Sequence, residues 1–162
     1  MGEQLPVSQS EWAAEIMIVH DAIWSRVGGD TIDLSTLIYA DGPWTGLDII
    51  AHLSSWNLET LYSLKAHSRQ EQYAVPWPPE DEDRFNRDEV EHRRLLGAAH
   101  IEIEWHQLHI QMKEAVLELT PEQFQSHMMF PWREIGSVSH LLKEILKHEQ
   151  QHVDDIVRSV RR

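Results

Sequence analysis

Apolar residues recur at intervals of three and four along most of this 162-residue chain, which is the spacing of one face of an α-helix. The first such stretch runs from Trp12 to Val27. Ser8 and Glu11 precede it with the residue types of a capping box, which marks a helix N-terminus. The pattern therefore predicts a first helix over residues 8–27.

Three later stretches show the same periodicity. Thr45 and Asp48 supply a second capping box, and Gly97 lies inside the longest stretch, where we expect a bend. The additional predicted helices span residues 45–67, 83–119 and 137–160. Four long helices without a credible strand, joined partly by long loops, predict an all-α protein folded as a four-helix bundle.

The segments between these helices are predicted to be loops. The polar, proline-bearing stretch "SRQEQYAVPWPPEDED" and the stretch "HMMFPWREIG" have this character, and Pro121 is placed to start one short extra helical turn. A chain of this length is most simply one domain, here residues 1–162. We also expect a homodimer, because two-fold dimers are the commonest oligomers.

The acidity of the chain narrows the range of partners. A formal net charge of -13 argues against nucleic acid, because a phosphate-binding surface needs clustered lysine and arginine. No apolar run reaches membrane-span length, and "MGEQLPVSQSEW" lacks the regions of a signal peptide. Without cysteine, thiolate ligands and cysteine nucleophiles are excluded. We expect a cytoplasmic protein.

The string H-E-x-x-H occurs once, in "KHEQQHVDD" at residues 147–155. His148 and His152 are four residues apart and so lie one turn apart on one helix face. They interrupt an apolar stripe formed by Leu141, Ile145 and Ile156. Burying two imidazoles costs free energy unless their nitrogens find partners, and a metal ion is one such partner.

A metalloprotease is the weakest interpretation of this string. That chemistry needs a third ligand, usually downstream, and only "VDDIVRSVRR" follows His152. Glu149 also falls on the flank of the stripe, about 100° around the helix from His148. Two interpretations of the histidine pair remain open, a metal site of another kind and core histidines hydrogen-bonded to other helices.

His52 is the best candidate for a third ligand. It lies about two turns into the second predicted helix, with Ile49 and Trp56 as its neighbours on the same face. Alone, such a histidine is more often a satisfied core residue than a ligand. In a bundle, however, two helices can deliver one histidine and a histidine pair to a shared core site.

These motifs resemble those of a known family. "WTGLDIIAHLSSWN" at residues 44–57, followed by "HLLKEILKHEQQH" at residues 140–152, is similar to the DinB-like, or YfiT-like, superfamily of bacterial metalloenzymes. The segment "DEDRFNRDEVEHRR" further resembles the subgroup related to the colibactin self-resistance protein. The resemblance implies a bundle in which His52, His148 and His152 hold a divalent metal.

The implied chemistry leaves alternatives. Three imidazoles would leave coordination positions open for water or substrate, and zinc, nickel and iron(II) all accept imidazole. The resemblance suggests a hydrolase or a thiol transferase that acts on a small electrophilic molecule. The competing hypothesis is a metal-free bundle that binds or sequesters a small molecule and whose histidines are structural. Asp155, one turn beyond His152, is a candidate to orient that ligand.

The other tryptophans and histidines are predicted to lie in the core, in loops or on the surface. Trp77 and Trp132 lie in proline-containing loops and are candidates to line a pocket mouth. The predicted core tryptophans are Trp12, Trp24, Trp56 and Trp105. The histidines predicted to lie mostly on the surface are His20, His67, His92, His100, His106, His109 and His127.

Overall fold

The computed structural model describes residues 6–29, 31–39 and 43–160, which form α-helices and one short hairpin. The helices are α1 (Gln9–Val27), α2 (Gly46–Ser68), α3 (Glu82–Leu96), α4 (Ala98–Glu118), α5 (Pro121–Gln125) and α6 (Val138–Val160). A single 3₁₀ turn, Pro79–Asp81, precedes α3. The hairpin strands are β1 (His127–Met129) and β2 (Ile135–Ser137), which pair in antiparallel register.

The predicted helix starts are confirmed. The Ser8 side chain accepts from the backbone N–H of Glu11, and Thr45 does the same for Asp48, so both capping boxes are complete. The Ser137 hydroxyl accepts from the backbone N–H of His140 at the start of α6. Each cap satisfies backbone donors that the helix itself leaves unpaired.

Four long helices enclose the core, which confirms the predicted four-helix bundle. Helices α1 and α2 each pack against both α4 and α6. All four predicted core tryptophans contribute, although Trp24 is only partly buried against the core. Fully buried aliphatic residues come from every long helix: Ile16, Ile23, Ile49, Leu53, Ile101, Met112 and Leu141. The bundle thus surrounds a continuous apolar interior into which a few polar side chains project.

The third predicted helix is divided more sharply than the expected bend. Gly97 separates α3 from α4 with a φ of 90°, a value that glycine adopts without steric cost. Across the break, the buried Arg93 guanidinium donates to both carboxylate oxygens of Glu104, at 2.8 and 3.0 Å. This bidentate ion pair fixes the angle between α3 and α4. A bent continuous helix would not need such a pair.

The stretch "HMMFPWREIG" contains a hairpin where a loop was predicted. Its strands are three residues each, too short for a period-two pattern to be visible in the sequence. A Cβ atom on Gly136 would lie 2.6 Å from the Phe130 ring, so the close approach of strand and ring requires glycine. The hairpin turn carries Trp132 to the mouth of the site described below.

In the described part of the chain, no helix has both the length and the apolar character needed to cross a membrane.

Candidate metal centre

Three histidines converge inside the bundle. Helix α2 contributes His52, and α6 contributes His148 and His152 from successive turns of one face. One nitrogen of each ring lies within 4.8 Å of the other two. The Nε2 atom of His148 lies 3.4 Å from Nε2 of His52 and 3.1 Å from Nε2 of His152. Among the described residues, this is the one group with ligand atoms gathered closely enough for a shared metal ion.

The spacing of these nitrogens fits a tetrahedral ion. A metal with bonds of about 2.0–2.1 Å to imidazole holds its ligand atoms about 3.3 Å apart. The two Nε2–Nε2 distances, 3.1 and 3.4 Å, lie on either side of that value. Three imidazoles from two rigid helices therefore supply one face of a coordination shell and leave its remaining positions open.

The histidines do not satisfy one another's hydrogen-bonding capacity. A neutral imidazole carries one N–H and one lone pair, so a single ring nitrogen serves one in-plane partner. Nε2 of His148 faces two neighbouring nitrogens and can pair with only one of them. An ion shared by the three Nε2 atoms would use the lone pairs that these rings cannot all pair with one another.

The environment holds the cluster neutral. Burial, followed by the proximity of His148 and His152, lowers the pKa of His52 to about 3. Burial and then His152 lower the pKa of His148 to about 4. Burial also lowers the pKa of His152. Because a metal ligand must offer a lone pair, imidazoles that stay unprotonated at neutral pH are prepared to accept a cation.

Tyr39 orients His152, a role for which Asp155 was the candidate from the sequence. The Tyr39 hydroxyl donates its proton to Asp155 Oδ2 at 2.8 Å and lies 3.1 Å from His152 Nδ1. With its proton committed to the carboxylate, the hydroxyl accepts from His152 Nδ1–H. The lone pair of His152 then resides on Nε2, which faces the other two histidines.

Tyr39 comes from the loop between α1 and α2, which gave no sequence signal for such a role. The loop backbone is fixed by a hydrogen bond from Ile38 N–H to the Trp44 carbonyl at 2.9 Å. A β-bridge between Leu37 and Thr45 adds a second attachment. These contacts tie the tyrosine to the start of the helix that carries His52.

The histidines open into a cavity of about 560 Å³. This volume is in the range of small-molecule sites. Its wall contains the tryptophans Trp44, Trp56 and Trp132, together with Glu82, Asn86, Glu144 and Ile145. Trp132 thus reaches the pocket as expected, whereas Trp77 lines a neighbouring depression with Arg84 and Phe85.

The glutamate of the H-E-x-x-H string belongs to a different site. Glu149 is fully buried, and its Oε2 accepts from Nε2 of His109 at 3.0 Å. Its Oε1 accepts from Nδ2 of Asn57 at 2.7 Å and from Nε1 of Trp105 at 3.2 Å. The carboxylate therefore lies among donors from α2 and α4, outside the histidine cluster.

His109 is buried, and its prediction as a surface residue was wrong. Its Nδ1 faces the Trp105 carbonyl at 2.8 Å and its Nε2 faces Glu149, so both nitrogens donate. Burial opposes the charged ring, but the carboxylate outweighs it and raises the pKa of His109. Burial also opposes the charged form of Glu149 and so raises its pKa. The nearby His109, with hydrogen bonds from Asn57 and Trp105, outweighs burial and lowers the pKa of Glu149 overall.

The remaining histidines are divided between the surface and the partly buried zone. His92, His100 and His127 are exposed, as predicted. His20 and His106 are partly buried and contact each other through ring nitrogens 2.7 Å apart. His67 is also partly buried, with Nε2 2.8 Å from the Gln123 carbonyl.

Fold and cluster together define a class of protein, a four-helix bundle with three histidines gathered at the base of an internal cavity. The family model of the DinB superfamily matches residues 6–156, and the chain belongs to that superfamily. This finding confirms the resemblance seen in the two histidine motifs. The narrower resemblance to the subgroup of the colibactin self-resistance protein stays a prediction.

A solved structure supports the same fold. It is reported as "YfiT from Bacillus subtilis is a probable metal-dependent hydrolase with an unusual four-helix bundle topology". The match has a TM-score of 0.70 and 20% sequence identity, and it covers 99% of this chain and 92% of that chain. No curated protein matches the chain significantly. At this identity the likeness establishes the fold, and the chemistry has to be argued from the site.

Proposed function

We propose that this protein is a metal-dependent hydrolase that acts on a small electrophilic molecule and holds a divalent ion through His52, His148 and His152. The observation that carries the proposal is the set of three neutral imidazoles whose nitrogens approach one another without hydrogen bonds to satisfy them all. The description of YfiT as a "probable metal-dependent hydrolase" supports the same chemistry on the same fold.

An ion bound there would supply Lewis-acid chemistry that activates water or a thiol for attack on the substrate. The chain itself holds the ligands in place. Asp155 and Tyr39 keep the proton of His152 on Nδ1, so that Nε2 stays free. The tryptophans of the cavity wall provide apolar surface for the substrate.

A thiol transferase uses the same parts, since an open coordination position can take a low-molecular-weight thiol instead of water. The two reactions differ only in the nucleophile and can be separated by adding or omitting the thiol. A metal-free binding bundle is the competing proposal. The crowding around Nε2 of His148 counts against it, because that atom has two nitrogen neighbours and can hydrogen-bond with only one of them.

Zinc, nickel and iron(II) remain the candidate ions, since all accept imidazole nitrogen. The single domain, the homodimer and the cytoplasmic location stay predictions. The absence of nucleic acid from the partners rests on the net charge of -13 alone.

The test is a screen for turnover of activated esters, lactams and epoxides, each with and without a low-molecular-weight thiol. We expect turnover by metal-loaded protein that disappears after chelation and returns when the ion is restored. His148→Ala should be inactive, and the control His100→Ala, which changes an exposed histidine of α4, should match the wild type. Turnover that survives both chelation and His148→Ala would contradict the proposal.

A further inference from the structure

The cavity above the histidine cluster is acidic and aromatic. Besides the histidines, its charged lining consists of Glu82 and Glu144, and its largest surfaces are tryptophan rings. No lysine or arginine of the described chain lines it. A site built to hold a carboxylate or phosphate would need such cations or a ring of backbone donors.

The two glutamates are not occupied by the protein itself. Within residues 6–29, 31–39 and 43–160, neither carboxylate forms an ion pair or a side-chain hydrogen bond. Neither belongs to the group whose ligand atoms could share the ion with the histidines. Glu144 is partly buried and lies one turn before His148 on α6, so its charge is directed at the cavity beside the cluster.

Two of the cavity tryptophans already use their Nε1–H groups in hydrogen bonds within the protein. Nε1 of Trp56 donates to Oδ1 of Asn86 at 2.9 Å, and Nε1 of Trp132 donates to Glu134 at 2.9 Å. The two rings meet edge to face, with centroids 6.3 Å apart. What these side chains offer to a ligand is therefore ring surface, which binds apolar groups and attracts cations through the π-electrons.

We infer that the substrate carries a positive charge, as an amine, amidine or quaternary ammonium group, on an apolar or aromatic body. This inference rests on the proposed function and adds the substrate class. The cationic group lies between Glu144 and the tryptophan rings, and the electrophilic end of the molecule reaches the histidine cluster. In the ion-free protein, an anionic group of the same size is repelled by both carboxylates and meets no lysine or arginine on the wall, so that only a bound ion would attract it.

The test compares probes that share a benzyl body and differ in charge. Benzyltrimethylammonium, benzyl alcohol and phenylacetate are titrated by calorimetry into the full-length protein, both metal-loaded and chelated. We expect the cation to bind about five-fold or more tighter than the neutral alcohol, in keeping with cation–π and partly screened ionic contacts. Phenylacetate should bind weakly to the chelated protein, where no ion can capture its carboxylate.

Matched variants locate the effect. Glu144→Gln keeps the shape of the side chain and removes its charge, and it should abolish most of the preference for the cation over the alcohol. Glu114→Gln removes the same charge from an exposed position of α4 and should leave the preference unchanged. Trp132→Leu should weaken binding of the cation more than binding of the alcohol.

Equal binding of cation and alcohol, or an equal loss of preference in Glu144→Gln and Glu114→Gln, would overturn the inference. These outcomes are independent of the metal proposal, because the charge preference is measured without turnover and persists after chelation. Failure of the ion to bind would leave the probe measurements intact, and failure of the probes would leave the metal measurements intact.

Discussion

His148 and Glu149 are adjacent on α6, yet they enter two polar sites of opposite character. The Glu149 carboxylate has three donors, from His109, Asn57 and Trp105, and is fully enclosed. The His148 ring adjoins two other neutral imidazoles and borders an open cavity. One site pairs its charges and bonds internally, whereas the other gathers lone pairs that the protein does not use.

The difference distinguishes a structural polar site from a binding site. Buried polar groups are normally satisfied, so a carboxylate with three donors, such as that of Glu149, needs no ligand. In the histidine cluster, the neutral rings carry too few N–H groups to hydrogen-bond every ring nitrogen. They also carry too little positive charge to repel a cation. It therefore gains free energy from a ligand that the first site would exclude.

The largest expected effect is on the structural site. Glu149→Ala removes the acceptor shared by the buried donors of His109, Asn57 and Trp105, which should lower the free energy of unfolding by about 3–5 kcal/mol. Urea denaturation monitored by circular dichroism measures this change. In metal-free protein, His148→Ala should lower the free energy of unfolding by much less, because the His148 ring has no complete set of hydrogen bonds to lose.

Glu114→Ala is the control for the structural site, since it removes an exposed glutamate from α4. It should change stability by less than about 0.5 kcal/mol. If Glu149→Ala were as mild as this control, the description of the Glu149 network as a charged, buried structural site would be wrong.

A smaller effect is expected where the loop supports the histidine cluster. Tyr39→Phe removes the acceptor of the His152 Nδ1–H, so the ring is no longer held in the tautomer that exposes Nε2. Loss of such an outer partner lowers metal affinity by about 10–100-fold. Competition with a chromophoric chelator measures the affinity.

Tyr62→Phe provides the comparison for this variant. The Tyr62 side chain is 43% exposed, and its hydroxyl makes no hydrogen bond within the described residues. Its removal should leave metal affinity unchanged. Equal affinities of Tyr39→Phe and wild type would show that the relay through Asp155 does not position the ligand.

The smallest effect concerns pH. An unfolded histidine has a pKa of about 6.5, whereas the pKa of His52 in the fold is about 3. Below pH 6.5 this histidine is therefore protonated in the unfolded chain but stays neutral in the fold. Stability falls as pH decreases toward the pKa of His52 in the fold. Between pH 6.5 and 5.5, the chelated wild type should lose about 1 kcal/mol more than His52→Leu.

Denaturation at these two pH values, with a chelator present, measures this difference. His92→Leu, which changes an exposed histidine, should keep the pH dependence of the wild type. Parallel pH profiles for wild type and His52→Leu would mean that His52 is not held neutral by burial.

The helical repeat and the caps predicted the bundle because both are local signals. The buried network of Glu149, which they missed, had a signal of the same kind. Glu149 follows Leu142 and Leu146 and precedes Val153 at spacings of four, three and four, so it lies in a second apolar stripe. His109 stands four residues after Trp105 and three before Met112, which indicates burial as well. Both signals lie outside the helix face that carries His148 and His152.

Other features could not be predicted from the sequence. Tyr39 reaches His152 across 113 positions of the chain, and its loop has no periodic pattern to place it. The hairpin that carries Trp132 is held by tertiary contacts, among them a hydrogen bond from Val75 N–H to the Pro131 carbonyl. The meeting of His52 with the α6 pair was expected from helix faces and from the family motif, while their binding of an ion stays a prediction.

Metal analysis of protein purified without a histidine tag is the most direct test of the central claim. Wild type, His148→Ala and His152→Ala are each incubated with zinc, nickel or iron(II), desalted, and measured by plasma mass spectrometry. The account predicts about one tightly held ion per chain in the wild type for at least one metal, and none in either variant, with helical circular dichroism preserved. A wild type that retains no more of any metal than His148→Ala would contradict it.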